Sequence, residues 1–210
     1  MKTKVLIFDF SRLETEESAQ ELQRLLATIN EDISILVNNV GVLHFGRLGD
    51  RDLKSINTMI NVNVNAQTYM SLFLLPRLLQ REKRSAVINL SSKAAFYTRG
   101  TMPMYCSTKR YNLALSRCMQ DAYADKIDVL TVTPASVKTQ MNPGNGAFTV
   151  QASEHGKAVI DHLGWHQQTW GSWWHAYQRW LEVEGPFACI YSPYANYLLD
   201  KNFRERAKLN

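Results

Sequence analysis

At 210 residues the chain is long enough for one domain with a sizeable core. Its 45% hydrophobic and 20% charged content is that of a globular protein and excludes a disordered one. The net charge of +5 is spread along the chain, which excludes the concentrated basic stripe of a nucleic-acid binder, and three widely spaced cysteines (Cys106, Cys118, Cys189) argue against a disulfide framework and for a reducing compartment.

Taken in order, Val5-Leu6-Ile7-Phe8-Asp9 reads as a strand, continuous in apolar residues as a doubly covered parallel strand should be. Leu13, Ala19, Leu22, Leu25, Leu26 and Ile29 then recur at helical spacing, with Glu14, Glu16 and Glu17 near the start of that helix. Ile33 to Val37 is the next strand, Leu53 to Leu79 is mostly helical, and Ala86 to Leu90 is a buried strand ending in Ser91 and Ser92. A helix over Tyr105–Ala124 and a strand over Ile127–Val132 follow. Alternating strands and helices predict a parallel α/β sheet with right-handed crossovers. Functional residues then belong at the carboxyl ends of the strands, where Asp9, Asn38, Ser92 and Pro134 fall. Met141–Phe148 is a loop, Glu154–Leu163 a short helix, and all five tryptophans lie between Trp165 and Trp180. Trp170, Trp173, Trp174, Tyr177, Trp180 and Leu181 fit a helical stripe, read either as core packing, as an acyl or steroid pocket, or as an interfacial belt. No uninterrupted apolar run reaches the length of a membrane-spanning helix.

Tyr105 and Lys109 sit one helical turn apart on one face. A phenol beside a fixed ammonium has its anionic form favoured, so its pKa is expected to fall towards the working range. Such a group can move a proton to or from a carbonyl oxygen, and Ser92, at the mouth of the neighbouring strand, can hold that oxygen. The pair alone is weak, since Tyr197 and Lys201 repeat the spacing with no strand-end serine before them. His162, His166 and His175 lack a His-Glu-x-x-His pattern and Gly164 interrupts the first pair, so no metal site is read from them. No Gly-x-Ser-x-Gly elbow exposes a hydrolytic serine.

Asn38-Asn39-Val40-Gly41 after a strand, Asn63 in a helix, Ser92, Tyr105-x-x-x-Lys109 and Pro134-Ala135-Ser136-Val137-Lys138-Thr139 occur in one order. This series resembles the short-chain dehydrogenase/reductase family. With Leu75-Pro76, Gly171-x-x-x-His175 and an aromatic-rich tail, it looks nearest the branch of steroid dehydrogenases and very-long-chain 3-ketoacyl-CoA reductases. The resemblance implies a Rossmann-like parallel sheet with flanking helices over 1–210, with a core to about residue 140, then a substrate lid, last strand and tail. It implies reduction of a lipid-like ketone by NADP, with NAD as the other choice. Tyr105 would be the general acid, Lys109 its partner and a ribose ligand, Ser92 the carbonyl holder and Asn63 the holder of a relay water. Asp9 would meet the adenine, Asn38 and Gly41 would line the cofactor floor, and Pro134, Val137 and Thr139 would face the nicotinamide. It places the last sheet strand near Ser172–Tyr177, with a helix starting near Gln178. The partners it implies are a small lipid-like ketone or alcohol, with peripheral membrane contact and a homodimer compatible with it, at the cytoplasmic face of the endoplasmic reticulum.

One departure is large. The family opens with a strand and a Gly-rich turn that binds the pyrophosphate, whereas the first glycine here is Gly41. Met1 falls just before what resembles the family's third strand, so the first two strands and the 2′-phosphate selector are expected to be missing. A sheet so shortened exposes the edge of the Ile33–Val37 strand, unless Val5–Asp9 pairs with it directly. The alternative reading is a truncated, catalytically inactive binding or regulatory protein of the same fold.

Overall fold

The computed structural model describes residues 3–97, 99–144, 146–186 and 201; Cys189 and Tyr197, like most of the expected tail, lie outside them. Residues 3–9 form neither strand nor helix, and Val5 and Ile7 are almost fully exposed. The expected Val5–Asp9 strand is therefore corrected. Its aromatic end does the packing instead, with Phe8 and Phe10 in edge contact at 5.4 Å against the core. A 3-10 turn over Phe10–Arg12 leads to helix α1 (Glu16–Ala27), which Thr15 and Ser18 cap reciprocally. Strand β1 (Ile35–Asn38) follows, then α2 (Leu53–Ile60), capped by the Asp52 carboxylate accepting from Ser55 N at 2.6 Å. A π turn over Asn61–Asn65 joins α2 to α3 (Ala66–Leu79), so the expected long helix carries one widened turn.

Strand β2 (Ser85–Leu90), helix α4 (Pro103–Tyr123, Pro103 in its first turn) and strand β3 (Ile127–Val132) form the centre of the fold. The short strands β4 (Val137–Lys138) and β5 (Val150–Gln151) pair with each other; α5 (Ala152–His162), β6 (Gln168–Thr169) and α6 (Trp173–Val183) complete the described elements. The main sheet is wholly parallel in the order β1-β2-β3-β6, with Val87 opposite Val129 and Ile88 opposite Leu130. Alternation along these strands sends Val87 and Val129 to one face, where they meet Leu22, Leu26, Leu74, Leu78 and Met119. Ile88 and Leu130 point to the other face and meet Val159 of α5. Helices thus cover both faces, the Rossmann-like arrangement the alternation predicts.

The end of the sheet differs from expectation. The last strand is β6, two residues long and earlier than Ser172–Tyr177, because Gly171 turns the chain at φ +74° and Ser172 accepts from Trp174 N to start α6. A side chain on Gly171 would meet the His155 ring at 2.1 Å. Trp173, Trp174 and Trp180 therefore belong to a helix, where with Tyr177 they form a partly exposed ladder of ring contacts between 4.0 and 6.3 Å.

At the opposite end of the sheet, β1 has β2 as its one strand neighbour among the described residues, and it buries Leu36 while Ile35 and Val37 stay about half exposed. Leu36→Ala should therefore cost about 2–4 kcal/mol in urea unfolding. Val37→Lys should stay within about 0.5 kcal/mol and reduce aggregation by light scattering. Equal losses for the two would show that the outward face of β1 is covered.

Candidate functional site

The carboxyl ends of β2 and β3 hold the chemistry. Ser91 closes β2 by donating its hydroxyl to Lys109 O at 2.6 Å and its backbone N–H to Val132 O at 2.8 Å. Ser92 then turns out in an extended conformation and caps the 3-10 turn Lys93–Phe96, its hydroxyl accepting from Ala94 N at 3.1 Å. Lys93 N donates to Pro134 O at 2.8 Å, which fastens this turn to the end of β3. Tyr105 enters from the first turn of α4 and is hydrogen-bonded to the Ser92 side chain. It packs with Leu43 and Phe45 on a small apolar cluster of Ala94, Met102 and Cys106. Lys109, one turn on, is buried; its ammonium lies 5.8 Å from the Tyr105 ring centroid and donates to Leu90 O at 3.0 Å.

Asn63 sits in the π turn, a deformation that often re-aims a side chain at a site. Its carboxamide is 1% exposed and fully used. Oδ1 accepts from Val42 N at 2.8 Å, while Nδ2 donates to Val42 O at 2.9 Å and to Thr108 Oγ1 at 3.1 Å. A side chain on Gly41 would lie 3.4 Å from Lys109 Nζ and 3.5 Å from Asn63 Oδ1, so the loop after β1 passes directly over both groups. The structure thus brings Gly41, Asn63, Ser92, Tyr105 and Lys109 into one cluster.

The electrostatics differ from expectation. Although Tyr105 as a residue is half-buried, burial around its hydroxyl is the largest influence and raises its pKa; the Ser92 hydrogen bond pulls the other way. Burial lowers the Lys109 pKa to about 8. The expected lowering of the phenol by the ammonium is corrected: desolvation penalises both charged forms, and the Lys109 ammonium is directed to Leu90 O. A phenol held in its protonated form is a proton donor.

The remaining residues fall in two groups. Pro134, Val137 and Thr139 follow β3, with Val137 in β4 and Thr139 exposed and bonded to Asn142. Asp9 is exposed, caps the first 3-10 turn by accepting from Ser11 N at 2.9 Å, and this bonding to Ser11 holds its carboxyl below the usual carboxylate range. Asn38, by contrast, is buried, and its Nδ2 donates to Ser71 Oγ at 3.1 Å and Asn89 Oδ1 at 2.8 Å. Its amide group pins β1 to β2 and α3, a structural duty, and the neighbouring Asn39 and Val40 present exposed surface.

Sequence reading missed two contacts of α6 to this site. His175 is fully buried, its Nε2 donating to Ser136 O at 3.0 Å and its Nδ1 accepting from Ala135 N at 3.4 Å. Glu182 forms a buried ion pair with Lys93 at 2.7 Å. A pairing across 89 residues leaves no local signal; the hint was an acidic residue beside an aromatic-rich stretch. Among the described residues no group of three His, Cys, Asp or Glu could hold a metal ion.

The short chain dehydrogenase family model matches residues 3–148. The very-long-chain 3-oxoacyl-CoA reductase of Anas platyrhynchos is 30% identical, over 99% of this chain and 66% of that protein. The inactive hydroxysteroid dehydrogenase-like protein 1 of Homo sapiens is 29% identical, over 88% of this chain and 60% of its own length. The chain thus spans less than two thirds of either relative. Among solved structures, a 7beta-hydroxysteroid dehydrogenase superposes with a TM-score of 0.72 at 21% identity, over 87% of this chain and 72% of the other. A Sphingobium yanoikuyae short-chain dehydrogenase in complex with NADPH gives 0.64 at 23%, over 73% and 61%.

The Lys109 shift fixes a pH dependence. Between about pH 8 and the ordinary 10.5 the folded amine is neutral while the unfolded one is charged, so unfolding takes up a proton and stability rises with pH. The wild type should gain about 3 kcal/mol on Lys109→Met across that window, read from urea midpoints. A flat or falling difference would place Lys109 in a solvated setting.

Proposed function

The chain belongs to the short-chain dehydrogenase family, and from that membership we propose that it is an NADP-dependent oxidoreductase reducing a ketone on a lipid-like substrate, a 3-ketoacyl-CoA or a steroid, to the alcohol. The observation that carries this reading is the cluster of Ser92, Tyr105, Lys109 and Asn63 at the carboxyl end of the sheet. Ser92 and Tyr105 share a hydrogen bond, so both hydroxyls can meet one carbonyl oxygen, and the protonated phenol is the proton donor that reduction needs. Lys109 lies behind the ring, where its amine can pass a proton towards the tyrosine. Asn63 holds the Val42 backbone and Thr108 in place beneath it.

NADPH, when bound, supplies the hydride. The surface left free at this end of the sheet suits the nicotinamide half: Gly41 passes over Lys109 without a side chain, and Thr139 is exposed beyond β4. Asp9, exposed and ionised, is available to the adenine end. Lys109, Pro134 and Val137 complete the set, and Asn38 supports it from below. NADP is proposed ahead of NAD on the branch resemblance, and solved structures of this fold carry either cofactor.

The relative named as a very-long-chain 3-oxoacyl-CoA reductase and the aromatic face of α6 both support a long apolar substrate. The endoplasmic reticulum is the location proposed with this reading, and the exposed Trp173, Trp174 and Trp180 suit peripheral contact with a bilayer. Among the described residues no helix is long and apolar enough to cross a membrane. A second reading, an inactive binding protein of this fold, is favoured by the relative named as inactive.

Calorimetry of NADPH on the purified chain separates them. The enzyme reading expects binding in the micromolar range, retained in Tyr105→Phe, with turnover of a 3-ketoacyl-CoA falling about 10²–10⁴-fold in that variant. A folded chain that binds no nicotinamide cofactor would leave the second reading standing.

A further inference from the structure

Helix α6 reaches the site through a buried charge cluster. The Lys93 ammonium lies 2.7 Å from Glu182 Oε1, with side chains 11% and 4% exposed. The Tyr97 hydroxyl donates to Glu182 Oε2, and Gln178 Nε2 donates to Oε1 at 3.1 Å, so both carboxylate oxygens are used. Lys93 and Arg99 flank the Tyr97 ring, at 5.7 and 5.3 Å from its centroid. Burial pushes the Lys93 amine down while Glu182 holds it charged, and Arg99 and Arg179 add positive charge nearby. One carboxylate on α6 therefore gathers the whole 3-10 turn that follows Ser92.

That turn sets where Ser92 points. Ser92 is its N-cap, Lys93 N is fastened to Pro134 O, and Arg110 of α4 holds its far side by donating to Ala95 O at 2.9 Å. Resting on the enzyme reading above, we propose that Glu182 is a positioning residue: by holding Lys93 and Tyr97 from α6, it fixes the turn that aims the Ser92 hydroxyl at Tyr105. The helix bearing the aromatic ladder is thereby joined rigidly to the group that orients the reacting carbonyl. An ion pair buried at a cost in desolvation serves this purpose because it specifies one geometry, where an apolar contact would tolerate several.

The test uses the 210-residue chain as wild type, Glu182→Gln, and Lys93→Met with Glu182→Leu, the double variant removing both buried charges so that folding is preserved. The ring 13Cζ resonance of Tyr105, assigned by its loss in Tyr105→Phe, reads the hydrogen bond to Ser92 without any turnover, and Ser92→Ala gives its position when that bond is absent. In both variants the resonance should move towards the Ser92→Ala position. Where the wild type turns over, kcat should fall about tenfold or more with KM for the ketone little changed. If Glu182→Gln does not fold, the double variant decides. A resonance at the wild-type position in the folded double variant would overturn the proposal, as would a wild-type kcat there, since a purely stabilising role is restored once the unpaired charge is gone. A wild type without turnover would count against the enzyme reading alone, and the Tyr105 resonance would still decide the role of Glu182.

Discussion

A single buried carboxamide holds the site together. Asn63 satisfies both backbone groups of Val42 and also the Thr108 hydroxyl, and so ties the loop after β1 to helix α4 across the end of the sheet. A buried polar group that loses a partner costs the full desolvation penalty, about 1–3 kcal/mol. Both the N–H and the C=O of Val42 depend on this one side chain, so the loop has one stable path. That path brings Gly41 alongside the Lys109 amine and the Asn63 carboxamide. The π turn makes the arrangement feasible, because a regular helix from Leu53 to Leu79 would present residue 63 at a different angle.

The sheet supplies the rest by a simple rule. Parallel strands end on one side, so Ser92 and Pro134, at the ends of adjacent strands, meet without any dedicated element, and the Lys93–Pro134 backbone bond locks them. Helix α4 lies against both strands and inserts Tyr105 and Lys109 from above, with the Ser91 hydroxyl gripping the Lys109 carbonyl. Helix α6 is attached at two points, His175 on Ala135 and Ser136 and Glu182 on Lys93 and Tyr97. Regular elements and their ends thus carry the residues of the candidate site, while the aromatic ladder faces outward from α6.

Where apolar periodicity matched a stable packing partner, the sequence was readable: β3 lies at Ile127–Val132 as expected, and β2 and α4 begin within two residues of their expected starts. Val5–Asp9 failed because an apolar run states a wish for burial, not a partner; Phe8 and Phe10 find the core and leave Val5 and Ile7 outside. The last strand was misplaced because resemblance was preferred over the Gly171-Ser172 turn and cap, which mark a helix start in plain view. The cluster of site residues was legible as a series of motifs. Its electrostatics were not, since spacing gives the approach of Lys109 to Tyr105 but not the burial that outweighs it. The bonds of the Asn38 amide to Ser71 and Asn89 could not be read from spacing, and the Lys93–Glu182 pair, 89 residues apart, left only the hint of an acidic residue beside the aromatic stretch.

The central claim is that this cluster serves reduction of a ketone, the nicotinamide cofactor supplying the hydride and Tyr105 the proton. Its most direct test is isotopic: the chain is incubated with nicotinamide cofactor deuterated at C4 and a 3-ketoacyl-CoA, and the product is analysed by mass spectrometry. The account predicts a 3-hydroxyacyl product carrying one deuterium on the former carbonyl carbon, formed by the wild type and lost in Tyr105→Phe. Product carrying deuterium at an undiminished rate in Tyr105→Phe would contradict it. So would a folded wild type that forms none with either cofactor.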